Sequence, residues 1–323
     1  MRYLITGGAG FIGSHLTEHL LPAGHRVTVL DDLSTGRLKN LEAVKHHPNL
    51  QILVDSILNR PVLERLVGEA DAVFHLAAAV GVRTVIEQPL QSLRTNVEGT
   101  CNLLEACAAA RRKIVLASTS EVYGKNENVP FAEENDIVLG ATTIRRWAYA
   151  CSKALDEFFA LAYAAEAGLP VIIVRLFNTI GPRQTGRYGM VVPRFVRQAL
   201  EGRPITIYGD GRQSRCFTCV SDVIEALGRL VESPAAVGGV FNIGSREEVT
   251  IEDLARRIRT LCKSRSPLVH LDPEQDYKEG FEDMRRRVPD LTRLEATIGY
   301  RPRVSLETAL KQIIADFKAG RED

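Results

Sequence analysis

The sequence predicts an α/β protein: a doubly wound parallel sheet followed by a smaller C-terminal lobe. Three observations carry that prediction. Short apolar runs recur at 2–6, 26–30, 51–54, 72–76, 113–117 and 171–176. Helix-length stretches separate them at 14–21, 59–67, 89–109 and 147–167. A glycine-rich turn joins the first run to the first helix. Strands alternating with helices at this spacing require crossover connections and therefore a parallel sheet.

The first element is Tyr3-Leu4-Ile5, a short buried strand. Thr6-Gly7-Gly8-Ala9-Gly10-Phe11-Ile12-Gly13 follows, and a helix is expected from Ser14. A strand, a glycine turn and a helix leave bare backbone N–H groups at a helix N-terminus, where a pyrophosphate binds. Gly7 permits the turn, Gly10 lets backbone approach phosphate, and Gly13 lets helix and strand pack closely. Val27 to Leu30 reads as the second strand, with Asp31 at its end, eighteen positions beyond Gly13. A carboxylate there bonds the adenosine ribose hydroxyls and repels a 2′-phosphate, so NAD is expected rather than NADP.

Beyond about residue 178 the alternation breaks up. Gly, Pro and Arg cluster over 181–187, and short helices (191–200, 221–231, 251–262, 305–318) alternate with short strands such as 205–208. We expect a Rossmann-type NAD-binding domain over 1–177. Residues 178–323 should be mainly a substrate-binding lobe with short returns to the sheet, closing over the strand C-termini.

Bulk properties narrow the function. The chain has 323 residues, 45% hydrophobic and 25% charged, with net charge +1. That balance gives no reason to expect nucleic acid or an anionic membrane as a partner. No apolar run approaches the ~20 residues of a membrane span. Met1 leads directly into the first strand, so no signal peptide is expected and the compartment should be the cytoplasm. The six cysteines are scattered. Cys216 and Cys219 form a lone CxxC without a second ligand pair, so no metal site is expected.

Tyr149 and Lys153 stand four apart on a predicted helix and share a face. An ammonium beside a phenol lowers the phenol pKa, so Tyr149 is expected to take a proton from a sugar hydroxyl. Ser118-Thr119-Ser120-Glu121-Val122-Tyr123-Gly124 follows the 113–117 strand and should face the same crevice. A carboxylate such as Glu121 at a working sheet edge costs desolvation unless it is used or paired.

The glycine turn, His75-Leu76-Ala77-Ala78, the Ser118–Gly124 segment, Tyr149-X3-Lys153 and Phe177-Asn178-Thr179-Ile180-Gly181-Pro182-Arg183 resemble the extended short-chain dehydrogenases/reductases almost end to end. The resemblance implies an enzyme that works on a nucleotide-linked sugar, holds NAD through the cycle and forms a homodimer. Helices 89–109 and 147–167, rich in Ala and Leu on more than one face, would make a four-helix interface. The catalytic residues it implies are Thr119, Tyr149 and Lys153, joined by Glu121. The cofactor site would take in Gly7, Gly10, Phe11, Ile12, Gly13, Asp31, Asp32, Ser34, Gly36, Asp55, Ser56, Leu76, Ala77, Ala78 and Asn96 with Tyr149 and Lys153. Asp55 would contact adenine, and Ala77 and Ala78 would line the dinucleotide path.

Three segments are similar to the UDP-glucuronic acid decarboxylase branch: Arg146 to Lys153, Ser214-Arg215-Cys216-Phe217-Thr218, and Tyr277 to Asp283 followed by Arg287-Val288-Pro289-Asp290. The resemblance therefore implies transient oxidation of carbon 4 of UDP-glucuronate and loss of its carboxylate, forming UDP-xylose. The alternatives are a 4-epimerase of UDP-glucose or UDP-glucuronate, and a 4,6-dehydratase. A different class is a catalytically silent protein that senses NAD(H). Substrate contacts are expected from Ser120, Asn178, Arg187, Arg215 and Arg287. Arg215 would seat the carboxylate or diphosphate, unless it pairs with Asp222.

Overall fold

In the computed structural model, the residues described are 1–81, 88–186, 190–272 and 284–320. Strand β1 (Arg2–Thr6) is buried on both faces from Tyr3 to Thr6, as befits the centre of a parallel sheet. Helix α1 (Phe11–Leu20) follows, capped by Gly10 in an extended conformation. It begins three residues before the position expected, because Phe11, Ile12 and Gly13 already form its first turn. Strands β2 (Arg26–Asp31) and β3 (Leu50–Val54) then add outward in parallel register.

Helix α2 (Arg60–Glu69), with proline in its first turn, carries the chain back. Strand β4 (Ala72–His75) lands on the opposite side of β1, pairing Thr6 with His75. Helix α3 (Pro89–Ala110), strand β5 (Lys113–Thr119), helix α4 (Trp147–Ala167) and strand β6 (Val171–Leu176) continue in that direction. Gly168, at φ 65°, ends α4 in the left-handed region. Strand β5 extends past the predicted 117, because Ser118 and Thr119 pair with Arg175 and Leu176.

Next come β7 (Thr179–Ile180), α5 (Val191–Leu200), β8 (Ile205–Tyr208), β9 (Ser214–Cys216) and β10 (Thr218–Cys219). Helix α6 (Val220–Glu232) and strand β11 (Val240–Ile243) return to the sheet. Then follow β12 (Glu248–Thr250), α7 (Ile251–Leu261), β13 (Leu268–Leu271), β14 (Arg286–Arg287), α8 (Thr292–Ile298) and α9 (Leu306–Lys318). Among the described residues the main sheet has seven strands, ordered β3-β2-β1-β4-β5-β6-β11. Its strands are all parallel. The strand order reverses between β1 and β4, and such a reversal opens a crevice at the strand C-termini.

Three large cores hold these layers. Leu16 and Leu20 of α1 pack with Val223 and Leu227 of α6 on one sheet face. Leu63, Leu66, Leu103, Leu104 and Ala160 from α2, α3 and α4 cover the other. Phe195, Leu254, Ile258, Leu310 and Ile313 from α5, α7 and α9 make a separate core beyond the sheet. Among the described residues no helix is long and apolar enough to cross a membrane.

Candidate active site

The glycine turn is shaped by close approach. Gly7 has φ +73°, and a Cβ there would stand 2.7 Å from Ala77 N on the neighbouring strand's exit. A Cβ on Gly13 would stand 2.2 Å from Gly7 O, so helix and turn cannot separate enough to admit one. At Gly10 the nearest atom would be Gly7 O at 3.1 Å, which leaves the remaining space open. Ser14 N donates to Gly10 O at 3.1 Å as the first bond of the helix, while the N–H groups of Phe11, Ile12 and Gly13, in the first turn before that bond, face the side where an anion would bind.

Asp31 closes the other side. Its carboxylate accepts hydrogen bonds from Ala9 N and Leu33 N, both at 2.9 Å. Burial pushes its pKa up, and these backbone donors pull it back. A carboxylate has about four acceptor sites, so Asp31 keeps capacity for hydroxyl donors. Asp32 forms a local turn with Ser34, and Asp55 accepts from Ser56 N and the Asn59 amide. This donor and acceptor set fits a dinucleotide: N–H groups for the pyrophosphate, carboxylates for ribose and adenine.

The cradle is one end of a cavity of about 1050 Å³. The structure brings most of the predicted residues to its wall. Gly7, Gly10, Phe11, Ile12, Gly13, Asp31, Asp32, Ser34, Asp55, Leu76, Ala77 and Ala78 line one half. Thr119, Ser120, Glu121, Tyr149, Lys153, Asn178, Arg215 and Arg287 line the other. Gly36, Ser56 and Asn96 do not line the cavity. Gly36 packs so closely that a Cβ would lie 2.6 Å from Asp31 Oδ1. Asn96 holds the wall by accepting from Ala79 N at 2.8 Å and donating to Ser152 Oγ at 3.3 Å. Arg187 lies outside the described residues, as does the predicted 277–283 segment.

At the strand end, Thr119 Oγ1 accepts from Glu121 N and shares a side-chain hydrogen bond with Tyr149. Arg287 Nη1 lies 3.6 Å from Glu121 Oε1 and donates to Ser120 Oγ at 3.4 Å. The neighbouring Arg285 and Arg286 are exposed, whereas Arg287 is buried. Its position is fixed from behind. Phe131 N donates to Val288 O and Asp290 N to Phe131 O, both at 2.8 Å. Phe131 in turn stacks on Tyr123, in the turn of 3-10 helix that carries Glu121, with ring centroids 4.7 Å apart.

One expectation needs correction, and one rival reading falls away. Lys153 was expected to lower the Tyr149 pKa. Its ammonium instead donates to Asp156 Oδ2 at 2.8 Å. The Tyr149 pKa is raised, first by burial and then by the Glu121 and Asp156 carboxylates, with the Thr119 hydrogen bond and Arg287 acting the other way. Arg215 does not pair with Asp222, whose carboxylate is taken by Tyr300 Oη, Arg303 N and Val304 N. Arg215 is instead in parallel register with Arg287 on β9 and β14. Partners in a parallel pair project to the same face, and both side chains line the cavity, with Arg215 Nη1 donating to Ser214 O at 2.7 Å.

Sequence reasoning missed three features of the site. Arg146 is buried on the cavity wall just before α4. Its only signal was its place in the segment around Tyr149. Tyr208, Gly209, Asp210, Arg212 and Gln213 line the far end. Asp156 gave no signal beyond being one turn past Lys153. Cys216 and Cys219 are both buried thiols, and among the described residues no His, Cys, Asp and Glu group could hold a metal.

A strand–glycine turn–helix cradle, a Thr–Tyr–Lys cluster and paired arginines in one cavity define a dinucleotide-dependent enzyme of phosphate-linked substrates. Residues 4–313 match the family model described as GDP-mannose 4,6 dehydratase. The chain belongs to this family, and with it to the extended short-chain dehydrogenases/reductases that modify nucleotide sugars. It is 45% identical to the UDP-N-acetyl-alpha-D-glucosaminuronate decarboxylase of Bacillus cytotoxicus, over 100% of this chain and 99% of the relative. It is 38% identical to UDP-glucuronic acid decarboxylase 1 of Danio rerio, over 99% of this chain and 73% of that one. Among solved structures it resembles the UDP-glucuronic acid 4-epimerase of Bacillus cereus in complex with UDP-glucuronic acid and NAD. The TM-score is 0.89 at 30% identity, over 99% of each chain.

Proposed function

We propose that this protein is an NAD-retaining decarboxylase of a UDP-linked hexuronate, UDP-glucuronate or its 2-acetamido analogue, forming the UDP-pentose. The observation that carries this reading is the Glu121–Arg287 pair, a carboxylate and a guanidinium 3.6 Å apart on the wall that also holds Thr119 and Tyr149. The names of the relatives support the substrate class. NAD would be held by the glycine turn, Asp31 and Asp55, and bound there it supplies a hydride acceptor and donor for carbon 4.

In this reading Thr119 and Tyr149 bond the carbon-4 hydroxyl, and Tyr149 takes its proton as the carbon is oxidised. The ketone formed is beta to the carboxylate. The bond from carbon 5 to the carboxylate then breaks, carbon dioxide leaves, and the electron pair moves into the enolate. Arg287 and Arg215 seat the carboxylate and diphosphate, since a guanidinium fork matches either. Glu121 moves the proton that returns to carbon 5. Return of hydride to carbon 4, with the Tyr149 proton going back to its oxygen, completes the cycle.

We also read residues 1–177 as the NAD-binding domain and 178–323 as mainly the substrate lobe. The exposed apolar side chains Leu90 and Leu93 on α3, and Leu155, Phe158, Phe159 and Leu161 on α4, support a homodimer through these two helices. The cytoplasm remains the proposed compartment.

Incubation with NAD and each UDP-uronate, followed by mass spectrometry, tests the assignment. Loss of carbon dioxide is the expected result. A product of unchanged mass would instead make the protein a uronate 4-epimerase, the activity in the name of its Bacillus cereus structural neighbour.

A further inference from the structure

Arg183 stands where the C-terminal lobe meets the dinucleotide cradle. Its φ of +69° lies in the left-handed region, which a residue with a long side chain adopts only when its surroundings compel it. Contacts on both sides hold it there. Its backbone N–H donates to Asp316 Oδ2 on α9 at 2.9 Å, which fastens the main chain to the lobe. Its guanidinium reaches the other way. Nη1 and Nη2 donate to Glu18 Oε1 and Oε2 on α1, both at 2.8 Å, and Nη2 also lies 2.6 Å from His15 Nδ1. The Arg183 and Glu18 side chains are 15% and 29% exposed, and a two-pronged pair so withdrawn from water is stronger than a solvated one.

The same guanidinium reaches the glycine turn by a second route. Nη1 also donates to Asn40 O at 2.7 Å, in the 3-10 turn Leu38–Leu41. Asn40 Nδ2 donates to Ala9 O at 2.8 Å, and Arg37 N donates to the same oxygen at 3.0 Å. Ala9 lies within the glycine turn, and its own N–H is held by Asp31. Arg183 therefore touches both supports of the cradle: α1, whose first turn would meet the pyrophosphate, and the 37–40 segment, which braces Ala9. Leu16, Leu20 and Leu41 anchor those supports in the core on one sheet face. Ile313 and Phe317 set the helix of Asp316 in the separate core beyond the sheet.

We infer that Arg183 is a positioning residue for the cradle: it fixes α1 and the 37–40 segment against the C-terminal lobe, and retention of the dinucleotide depends on it. This rests on the reading of the glycine turn and Asp31 as an NAD site. The position calls for arginine because one group must meet a carboxylate and a carbonyl at once, with donors set at fixed angles. A lysine keeps the charge and loses the fork that spans Glu18 and Asn40 together. Residues of both lobes wall the cavity, so parting the lobes opens its side to water and lets the dinucleotide leave. Arg183, Asn40 and Arg37 line that cavity, whereas Glu18 does not. Glu18 therefore acts on a bound dinucleotide only through its helix and the guanidinium it holds.

Glu18→Gln keeps the shape and removes the counter-charge. Protein loaded with NADH and mixed with excess NAD reports release of the dinucleotide as a fall in fluorescence. Release should be about tenfold faster in Glu18→Gln and faster also in Arg183→Lys, while the double variant should release no faster than the quicker single, because linked residues lose one shared interaction. Affinity of NAD-loaded Glu18→Gln for UDP, by calorimetry, should stay within about twofold of the wild type. An unchanged release rate with a lower unfolding temperature would reduce the pair to a structural role and overturn the inference. So would effects that multiply in the double variant, or a loss of UDP affinity as large as the gain in release rate. Should Glu18→Gln not fold, hydrogen exchange in the wild type decides. NAD should slow exchange over 313–318, a stretch of α9 that does not line the cavity, and unchanged exchange there overturns the inference. A wild type that binds no NADH would overturn the reading of the cradle and this inference with it, whereas normal binding with unaltered release in the variants overturns the inference alone.

Discussion

Arg287 Nη1 stands 3.6 Å from Glu121 Oε1, although the two residues are more than 160 positions apart in the chain and their segments are tied together through Phe131, Val288 and Asp290. Both side chains are largely withdrawn from water, at 9% and 19% exposed. Glu121→Gln keeps the shape and removes the base. We expect kcat for uronate decarboxylation to fall about 10²–10⁴-fold, the range for a lost acid–base group. NAD binding, followed by fluorescence or calorimetry, should stay within twofold. Equal loss of NAD binding would show that Glu121 acts on the cradle and has no part in the chemistry.

Arg287→Lys tests the other half of the pair. Lysine keeps the charge but loses the planar fork that matches a carboxylate or phosphate. It should raise KM for the UDP-uronate at least tenfold and lower kcat as well. An unchanged KM would assign carboxylate binding to Arg215 or Arg146.

Gly13→Ala addresses the cradle. The added Cβ would lie 2.2 Å from Gly7 O and 2.7 Å from Gly8 Cα, both backbone atoms that cannot rotate away. Overpacking of this kind costs about 1–3 kcal/mol. Thermal unfolding should register that loss, and NAD affinity should fall more than tenfold because the helix N-terminus is pushed off the turn. Gly10→Ala, with only Gly7 O at 3.1 Å, should retain stability and lose NAD binding. Wild-type affinity in both variants would place the dinucleotide elsewhere.

The parts of the site that were legible in the sequence are local. The glycine turn sits between one strand and one helix, so its shape is written in adjacent residues. Tyr149 and Lys153 lie one helical turn apart, and their shared face follows from helix geometry alone. Arg287 became visible only by family resemblance. Its burial depends on β14 pairing with β9 across some seventy residues of chain, while its neighbours Arg285 and Arg286 stay exposed. Asp156 was illegible for the opposite reason. On sequence alone a Lys–Asp pair at this spacing is an ordinary solvated helix face, and only packing of α4 against α3 and the sheet removes the water. The expectation for the Tyr149 pKa failed with it, because burial first, and the Glu121 and Asp156 carboxylates after it, push it up.

Buried ion pairing also governs stability near the site. Arg175 of β6 donates to Glu157 through Nε at 3.0 Å and Nη2 at 2.7 Å, and Ser118 Oγ donates to the same carboxylate. Arg175 also stacks over the Tyr123 ring, 4.8 Å from its centroid. Glu157→Gln leaves this guanidinium without its counter-charge and should cost about 3–5 kcal/mol in unfolding free energy. A change below about 1 kcal/mol in chemical denaturation would mean that Arg175 finds a substitute partner, with Glu133 as the nearby candidate.

His15 supplies a pH dependence with a defined sign. Its Nε2 donates to Pro182 O at 3.0 Å, and its Nδ1 lies 2.6 Å from Arg183 Nη2, a donor that demands a neutral acceptor. Burial and the Arg183 charge lower its pKa to about 4 from 6.5. Between those values the unfolded chain binds a proton that the folded chain does not, so stability rises with pH across that window. Stability attributable to neutral His15 is therefore complete above about 6.5 and is lost progressively as pH falls toward 4. His15→Gln keeps a side-chain donor and cannot be protonated. Its unfolding free energy, measured from pH 7 to 4, should have a shallower acid slope than the wild type. Two parallel slopes would assign the acid sensitivity to other groups, His75 foremost, whose pKa is lower still at about 3.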